Sequence, residues 1–350
     1  MRTMMTACVA ILLALSTATA THAQATPPQS DGGLYHVAQV FHVGGKGNWD
    51  YLTVDPNHKR LYVPRSTHTL VLDANTGKTI ADIPGQKRNH GVALVPGAGR
   101  GFITDGQDGS VVIFDLKTNE VLGNVKTAED ADAILYDPTS GKVLVNCGDA
   151  NVVVPISPDV DPKTGKAGAA IVLGGKPEAL VADGHGKVYI TLVDKNQVAV
   201  VDMAAMKVID NWPTAPGGTP VGLAIDREQR RLFIGCRNPQ KLVVMSADDG
   251  KVLADLPIGA GCDGTQFDDG SIFASCRDGS LTVIREIAPA KFAVVQTVQT
   301  RPGAKTMGVD PMTHSIFLPT AELGRKRDGR NRPVAKPETF MILVVRRAGS

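Results

Sequence analysis

An excess of charge of one sign is what this chain most plainly lacks. Its 37 Lys and Arg stand against 35 Asp and Glu, a formal net charge of +2 over 350 residues. No overall field therefore recruits nucleic acid or an anionic membrane, and such a partner would need a local patch. Long apolar runs are missing too. Beyond the first 25 residues no segment approaches the ~20 apolar residues of a membrane-spanning helix. Cysteine is scarce, at five. The absence of Cys-x-x-Cys, His-Glu-x-x-His and Gly-x-Ser-x-Gly sets aside the common haem-attachment, zinc-protease and serine-hydrolase signatures. What is present is 43% hydrophobic residues with 37 Gly and 22 Pro. That composition buries a core and makes many turns, and it excludes disorder, collagen and coiled coil.

The first 25 residues read as a signal peptide. Arg2 precedes an apolar stretch from Ala7 to Leu15, then small residues and Ala23-Gln24-Ala25, the layout of a secretory leader. Residues 26–33 read as a linker and residues 34–350 as one domain. The mature chain is expected in the periplasm or secreted, with Cys147, Cys236, Cys262 and Cys276 in an oxidising compartment.

Internal repetition is the strongest signal. Tyr51-Leu52-Thr53-Val54, Arg60-Leu61-Tyr62-Val63, Thr69-Leu70-Val71-Leu72-Asp73 and Thr79-Ile80-Ala81-Asp82-Ile83 read as four strands joined by polar turns. The same unit recurs along the chain. Aligning first strands makes Asp50, His90, Asp132, Glu178, Val221, Asp263 and Lys305 equivalent, at separations of 40 to 46 residues. A propeller blade of four strands occupies ~40–50 residues. The pattern predicts an all-β, seven-bladed β-propeller. The last unit is one strand short, and residues 34–43 supply it, closing the ring and removing its exposed edges.

Arg60-Leu61-Tyr62-Val63-Pro64-Arg65, followed by a strand ending in Asp73 and the turn Thr76-Gly77-Lys78, resembles the YVTN-type β-propeller repeat of exported bacterial proteins. The resemblance covers residues 34–347, although no copy reads Tyr-Val-Thr-Asn in full. It implies the propeller fold and export, and it leaves activity open because propellers host many functions.

Two phosphate-loop look-alikes fail on context. The glycine required five residues before Gly77 is Leu72, and the Gly97–Gly101 segment joins two strands rather than a strand and a helix. Functional residues are therefore sought by position. Loops leading into the innermost strands, and those following the second strands, open around the channel on one face. Asp50, His90, Asp132, Glu178 and Asp263 converge there, with Val221 and Lys305 interrupting the ring. Carboxylates with a histidine suit a divalent metal ion, but a wide, wet channel would leave them solvated. Arg237, Arg277 and the 325–332 loop, with five basic residues and one acid, make a basic border.

At the ends of the second strands stand Arg65, Asp105, Cys147, Leu192, Cys236, Cys276 and Thr320. Reuse of a buried small residue explains the three cysteines better than soft-metal capture. Hairpin pairing through Asp269-Gly270 favours a Cys262–Cys276 disulfide, with Cys236–Cys262 as competitor.

Three functions compete. A binding scaffold would present Asp50, His90, Asp132, Glu178, Asp263, Lys305, Arg237 and Arg277 to a protein or small ligand, with no cofactor required. A metal-assisted hydrolase resembling a lactonase would use a divalent ion held by Asp50, His90, Asp132, Glu178 and Asp263. A binder of anions or nucleic acid would use the 325–332 loop, although stacking platforms for single strands need aromatics that this loop lacks. Without a local pair of nucleophile and base, binding by a monomer is the expectation.

Overall fold

The computed structural model describes residues 35–349 apart from Asp328 and Arg330. The expected signal peptide and linker lie outside the described residues. Among these, seven four-stranded antiparallel sheets form a seven-bladed β-propeller. No described helix is long and apolar enough to cross a membrane.

Blade 1 runs outward through Thr53–Asp55, Arg60–Pro64, Thr69–Asp73 and Thr79–Ile83. The innermost strands of blades 2 to 7 are Asn89–Val95, Ala131–Asp137, Pro177–Ala182, Pro220–Asp226, Cys262–Asp268 and Gly308–Asp310. Blade 3 carries the long loop behind the 46-residue separation, and its outermost strand shrinks to Ile171–Val172.

Aspartates set the turns that space these strands. Asp73 Oδ1 accepts from Asn75 N at 3.0 Å and Thr76 N at 2.8 Å. Asp115 does the same for Lys117 and Thr118, both at 2.8 Å, and Asp202 for Ala204 and Ala205, both at 2.9 Å. One side chain satisfies two backbone donors and holds the reversal after a third strand. The second and third strands of each blade are mostly apolar and buried because both faces of the sheet are covered there by neighbouring blades, whereas outermost strands such as Lys207–Pro213 are largely exposed.

Ring closure follows the sequence pattern. Tyr35–His42 pairs antiparallel with Met341–Arg347 and becomes the outermost strand of blade 7. Phe41, 3% exposed, stacks on Phe317 with centroids 6.5 Å apart. Tyr35 meets Phe273 of blade 6 edge-on at 5.2 Å, while Gln296 accepts from Tyr35 N at 2.8 Å and donates to Tyr35 O at 2.7 Å.

Every residue at the end of a second strand is buried, from Arg65 and Asp105 through the three cysteines to Thr320. The position is therefore core in each blade, which accounts for the recurring small thiol. Arg65 is the exception in size. Its guanidinium donates to the carbonyls of Gly44, Gly45, Gly47 and Asn48 at 3.0–3.4 Å and lies 3.6 Å over the Phe340 ring. The loop from the closing strand to blade 1 thus wraps a buried cation. It can do so because Gly47 has φ +101° and a Cβ there would meet Arg65 O at 2.2 Å.

Arg65→Met keeps the apolar stem but leaves four carbonyls without a donor. We expect a loss of about 3 kcal/mol or more, because charge-assisted bonds contribute ~1.5–3 kcal/mol each. Chemical denaturation of both proteins checks it. A change within error would show that water replaces the guanidinium freely.

Candidate functional site

The residues leading into the innermost strands meet at one mouth of the channel, held on adjoining blades. Asp50 Oδ2 accepts from His90 Nδ1 at 2.7 Å, and Oδ1 from Lys305 Nζ at 2.8 Å. His90 Nδ1 also stands 3.6 Å from Asp132 Oδ1. Lys305 Nζ reaches Asp263 Oδ2 at 2.7 Å. Arg277 Nη2 donates to the same oxygen at 2.7 Å, and Arg237 pairs with Asp263 Oδ1. Arg237 Nε further donates to the Cys262 carbonyl at 2.9 Å. Blades 1, 2, 3, 5, 6 and 7 are linked in this way into one polar belt. These charges pair with one another rather than standing separately solvated around the channel.

Val221 is fully buried and brings no polar group. Arg237, from the second strand of the same blade, supplies the charge on that side. Glu178 stands on blade 4 near Asp132 and Arg237, close enough for each charge to act on it, yet no side-chain donor among the described residues bonds its carboxylate. Asp132 Oδ1 is likewise buried without a hydrogen-bond partner.

Burial and company set the proton affinities. Burial pushes the Asp50 carboxyl up, but Lys305 and His90 outweigh it and hold it well below the usual range. Burial pulls His90 down, but Asp50 and Asp132 outweigh it and raise its pKa to about 9. Asp132 is raised to about 6, by burial first, with Asp50 adding to it against His90. Glu178 is raised to about 7, by burial and then by Asp132. Two carboxyls poised near neutrality beside fixed cations in a cleft are the kind of perturbation that marks a functional site.

Tyr51 is the residue that positional reasoning missed. It follows Asp50 on blade 1 but packs against the cluster of Ala133, Leu180 and Leu192 on blades 3 and 4, so its ring spans the channel. Its hydroxyl is pushed well above the ordinary phenol range by burial, then by Glu178, Asp132 and Asp50. The signal was available: after the aligned residues of blades 2 to 6 stand Gly91, Ala133, Ala179, Gly222 and Gly264, and only blade 7 differs, with Thr306. These small residues leave space for one large side chain. They also let inner strands approach, since a Cβ on Gly222 would meet Thr265 Oγ1 at 2.2 Å.

Asp50, His90 and Asp132 offer donor atoms all within 4.8 Å of one another. They are the group among the described residues that could share a metal ion. Glu178 and Asp263, expected as further ligands, lie outside it; Asp263 is taken up by Arg237, Arg277 and Lys305. Cys147, Cys236, Cys262 and Cys276 do not form such a group. Cys262 and Cys276 face each other in register across the first hairpin of blade 6, the juxtaposition on which the expected disulfide rests. In this structure both are free, buried thiols, as are Cys147 and Cys236.

The basic segment forms a two-stranded ribbon, Leu323–Arg327 with Pro333–Ala335, between the second and third strands of blade 7. Arg325, Lys326, Arg327 and Arg332 are exposed. Arg332 is near enough to Arg277 to lower its proton affinity, although burial is the larger cause. The ribbon therefore borders the mouth. The channel below it is a cavity of about 380 Å³, lined by Tyr51, Leu52, Val92, Ile134, Leu180 and Leu223 among others.

No protein-family model and no curated protein matches the sequence. Among solved structures the chain is similar to one from Kuenenia stuttgartiensis hydrazine synthase, with a TM-score of 0.68 and 14% identity over 79% of this chain and 94% of that one. At that identity the likeness shows the propeller fold alone.

Proposed function

We propose that this chain is an exported propeller of the YVTN-repeat type that binds a small polar ligand at the mouth of its channel. The observation that carries the reading is the pair Asp132 and Glu178, carboxylates with acceptor capacity that no hydrogen-bond donor among the described residues fills. The channel cavity of about 380 Å³, which Ala133 and Ala179 line one residue further in, lies at the low end of the roughly 300–1,000 Å³ of ligand pockets. That favours a small molecule over a protein segment. Export is supported by the arrangement of Arg2, the apolar run and Ala23-Gln24-Ala25. The repeat type is supported by Arg60–Arg65 and the turns capped by aspartate.

A divalent-ion site, and with it the metal-assisted hydrolase, is favoured by the convergence of Asp50, His90 and Asp132. It is the weaker reading because Lys305 and His90 already donate to both oxygens of Asp50. An ammonium group thus does the neutralising that an ion would otherwise do.

Thermal-shift screening tests the choice, with amino acids, dicarboxylates, polyamines, sugars, phosphate and divalent metals as separate probes. At least one organic probe is expected to raise the melting temperature of the parent and to lose that effect in Asp132→Asn and Glu178→Gln. Stabilisation by a stoichiometric metal ion instead, lost in the same variants, would overturn the reading in favour of the metal site.

A further inference from the structure

We propose that the ligand is a zwitterion of the α-amino-acid class, its ammonium seated between Asp132 and Glu178 and its carboxylate on the unused N–H groups of Arg237 and Arg277. The inference rests on the preceding reading of the mouth as a small-ligand site and adds the chemistry of the ligand.

The charges of the belt carry it. On the side of blades 1 to 4 stand three acids, Asp50, Asp132 and Glu178, with His90 as the one cation among the belt residues. On the side of blades 5 to 7 stand three cations, Arg237, Arg277 and Lys305, around the single acid Asp263. The belt is thus close to neutral as a whole but divided into an acidic and a basic half. A simple cation would satisfy the first half and be repelled by the second, and a simple anion the reverse. A molecule bearing both charges complements the division.

The free hydrogen-bonding groups agree with this. On the acidic side the acceptor Asp132 Oδ1 is buried without a hydrogen-bond partner, His90 Nδ1 standing 3.6 Å away, and Glu178 receives no donor among the described residues. An ammonium supplies three N–H donors and can bridge carboxylates too far apart to ligate one metal ion. On the basic side Asp263 uses Arg237 Nη2 and Arg277 Nη2, and the Cys262 carbonyl uses Arg237 Nε. Arg237 Nη1 and Arg277 Nε and Nη1 keep N–H groups without a partner among the described residues, charged donors that a carboxylate can accept from.

Calorimetric titration of the parent with each of the twenty common L-amino acids is the test. The tightest binder is followed by its decarboxylated amine and its deaminated acid. Either analogue is expected to bind at least about tenfold more weakly than the amino acid, since each forfeits charge-assisted bonds. Glu178→Gln should weaken the amino acid and the amine but not the acid, and Arg277→Gln should weaken the amino acid and the acid but not the amine. Because the analogue comparison uses the parent protein, a variant that fails to fold does not spoil it. Equal binding of the amine and the amino acid would overturn the inference while leaving a small-ligand site in place. So would binding, dependent on Glu178, of only non-zwitterionic probes. Silence of every organic probe would remove the underlying reading as well.

Discussion

Replacing Phe41 and Tyr35 of the closing strand with alanine is expected to lower the melting temperature by roughly 10 °C or more, with each substitution costing about 3–5 kcal/mol. Both rings are at least 95% buried, at 3% and 5% exposure, and they serve two junctions. Phe41 packs between blades 7 and 1 in the cluster of Leu52, Leu61 and Phe317. Tyr35 joins blade 6 through Phe273 and Gln296. Loosening the strand also bares the edge of Met341–Arg347, whose unpaired backbone groups would template association. The double variant should therefore aggregate on heating where the parent does not. Calorimetry with light scattering measures both. A double variant that melted at the parent temperature would show that the ring does not depend on its terminal strand.

Stability should fall as pH rises from about 5 to 9, and Glu178→Gln should flatten the first part of that fall. The sign follows from the three raised groups. Glu178 at about 7, Asp132 at about 6 and His90 at about 9 all bind protons more tightly folded than unfolded. Each stabilises the fold while protonated and loses that contribution as pH climbs from its ordinary value to its folded one. For the two carboxyls the window runs from about pH 4 to 7, and for His90 from about 6.5 to 9. Asp50, held low, works oppositely and only below about pH 4. After allowance for its partial exposure, Glu178 accounts for roughly 2 kcal/mol. The glutamine variant should thus melt a few degrees above the parent at pH 8 and close to it at pH 5. Parallel pH profiles for the two proteins would mean that the Glu178 carboxyl is solvated rather than confined. Such a gain from deleting a charge is the pattern of a residue kept for function at a cost in stability.

The frame of this site was legible in the sequence because it obeys the repeat. Alignment of first strands placed Asp50, His90, Asp132, Glu178, Asp263 and Lys305 at one mouth, and the missing strand of the last unit pointed to residues 34–43. What the alignment could not provide was contact across the ring. Lys305 bridges Asp50 and Asp263 only because closure sets blade 7 between blades 6 and 1. Tyr51 looks like any inward strand residue until the glycines and alanines facing it are placed around the same channel. Arg237 filling in for Val221 also depends on how a second strand ends beside the neighbouring inner strand. The raised affinities of Asp132 and Glu178 come from burial beside each other, which spacing alone does not reveal.

The measurement that bears most directly on the mouth as a binding site is the proton count on ligand binding. It is obtained by titrating the tightest amino acid at pH 6.5 in two buffers of different ionisation enthalpy. An ammonium on Asp132 and Glu178 favours their ionised forms, so binding is expected to release a proton, up to about one per ligand, and Glu178→Gln should reduce that release along with the affinity. Binding that released no proton and was unaffected in Glu178→Gln and Asp132→Asn would place the ligand elsewhere and contradict the assignment of the site.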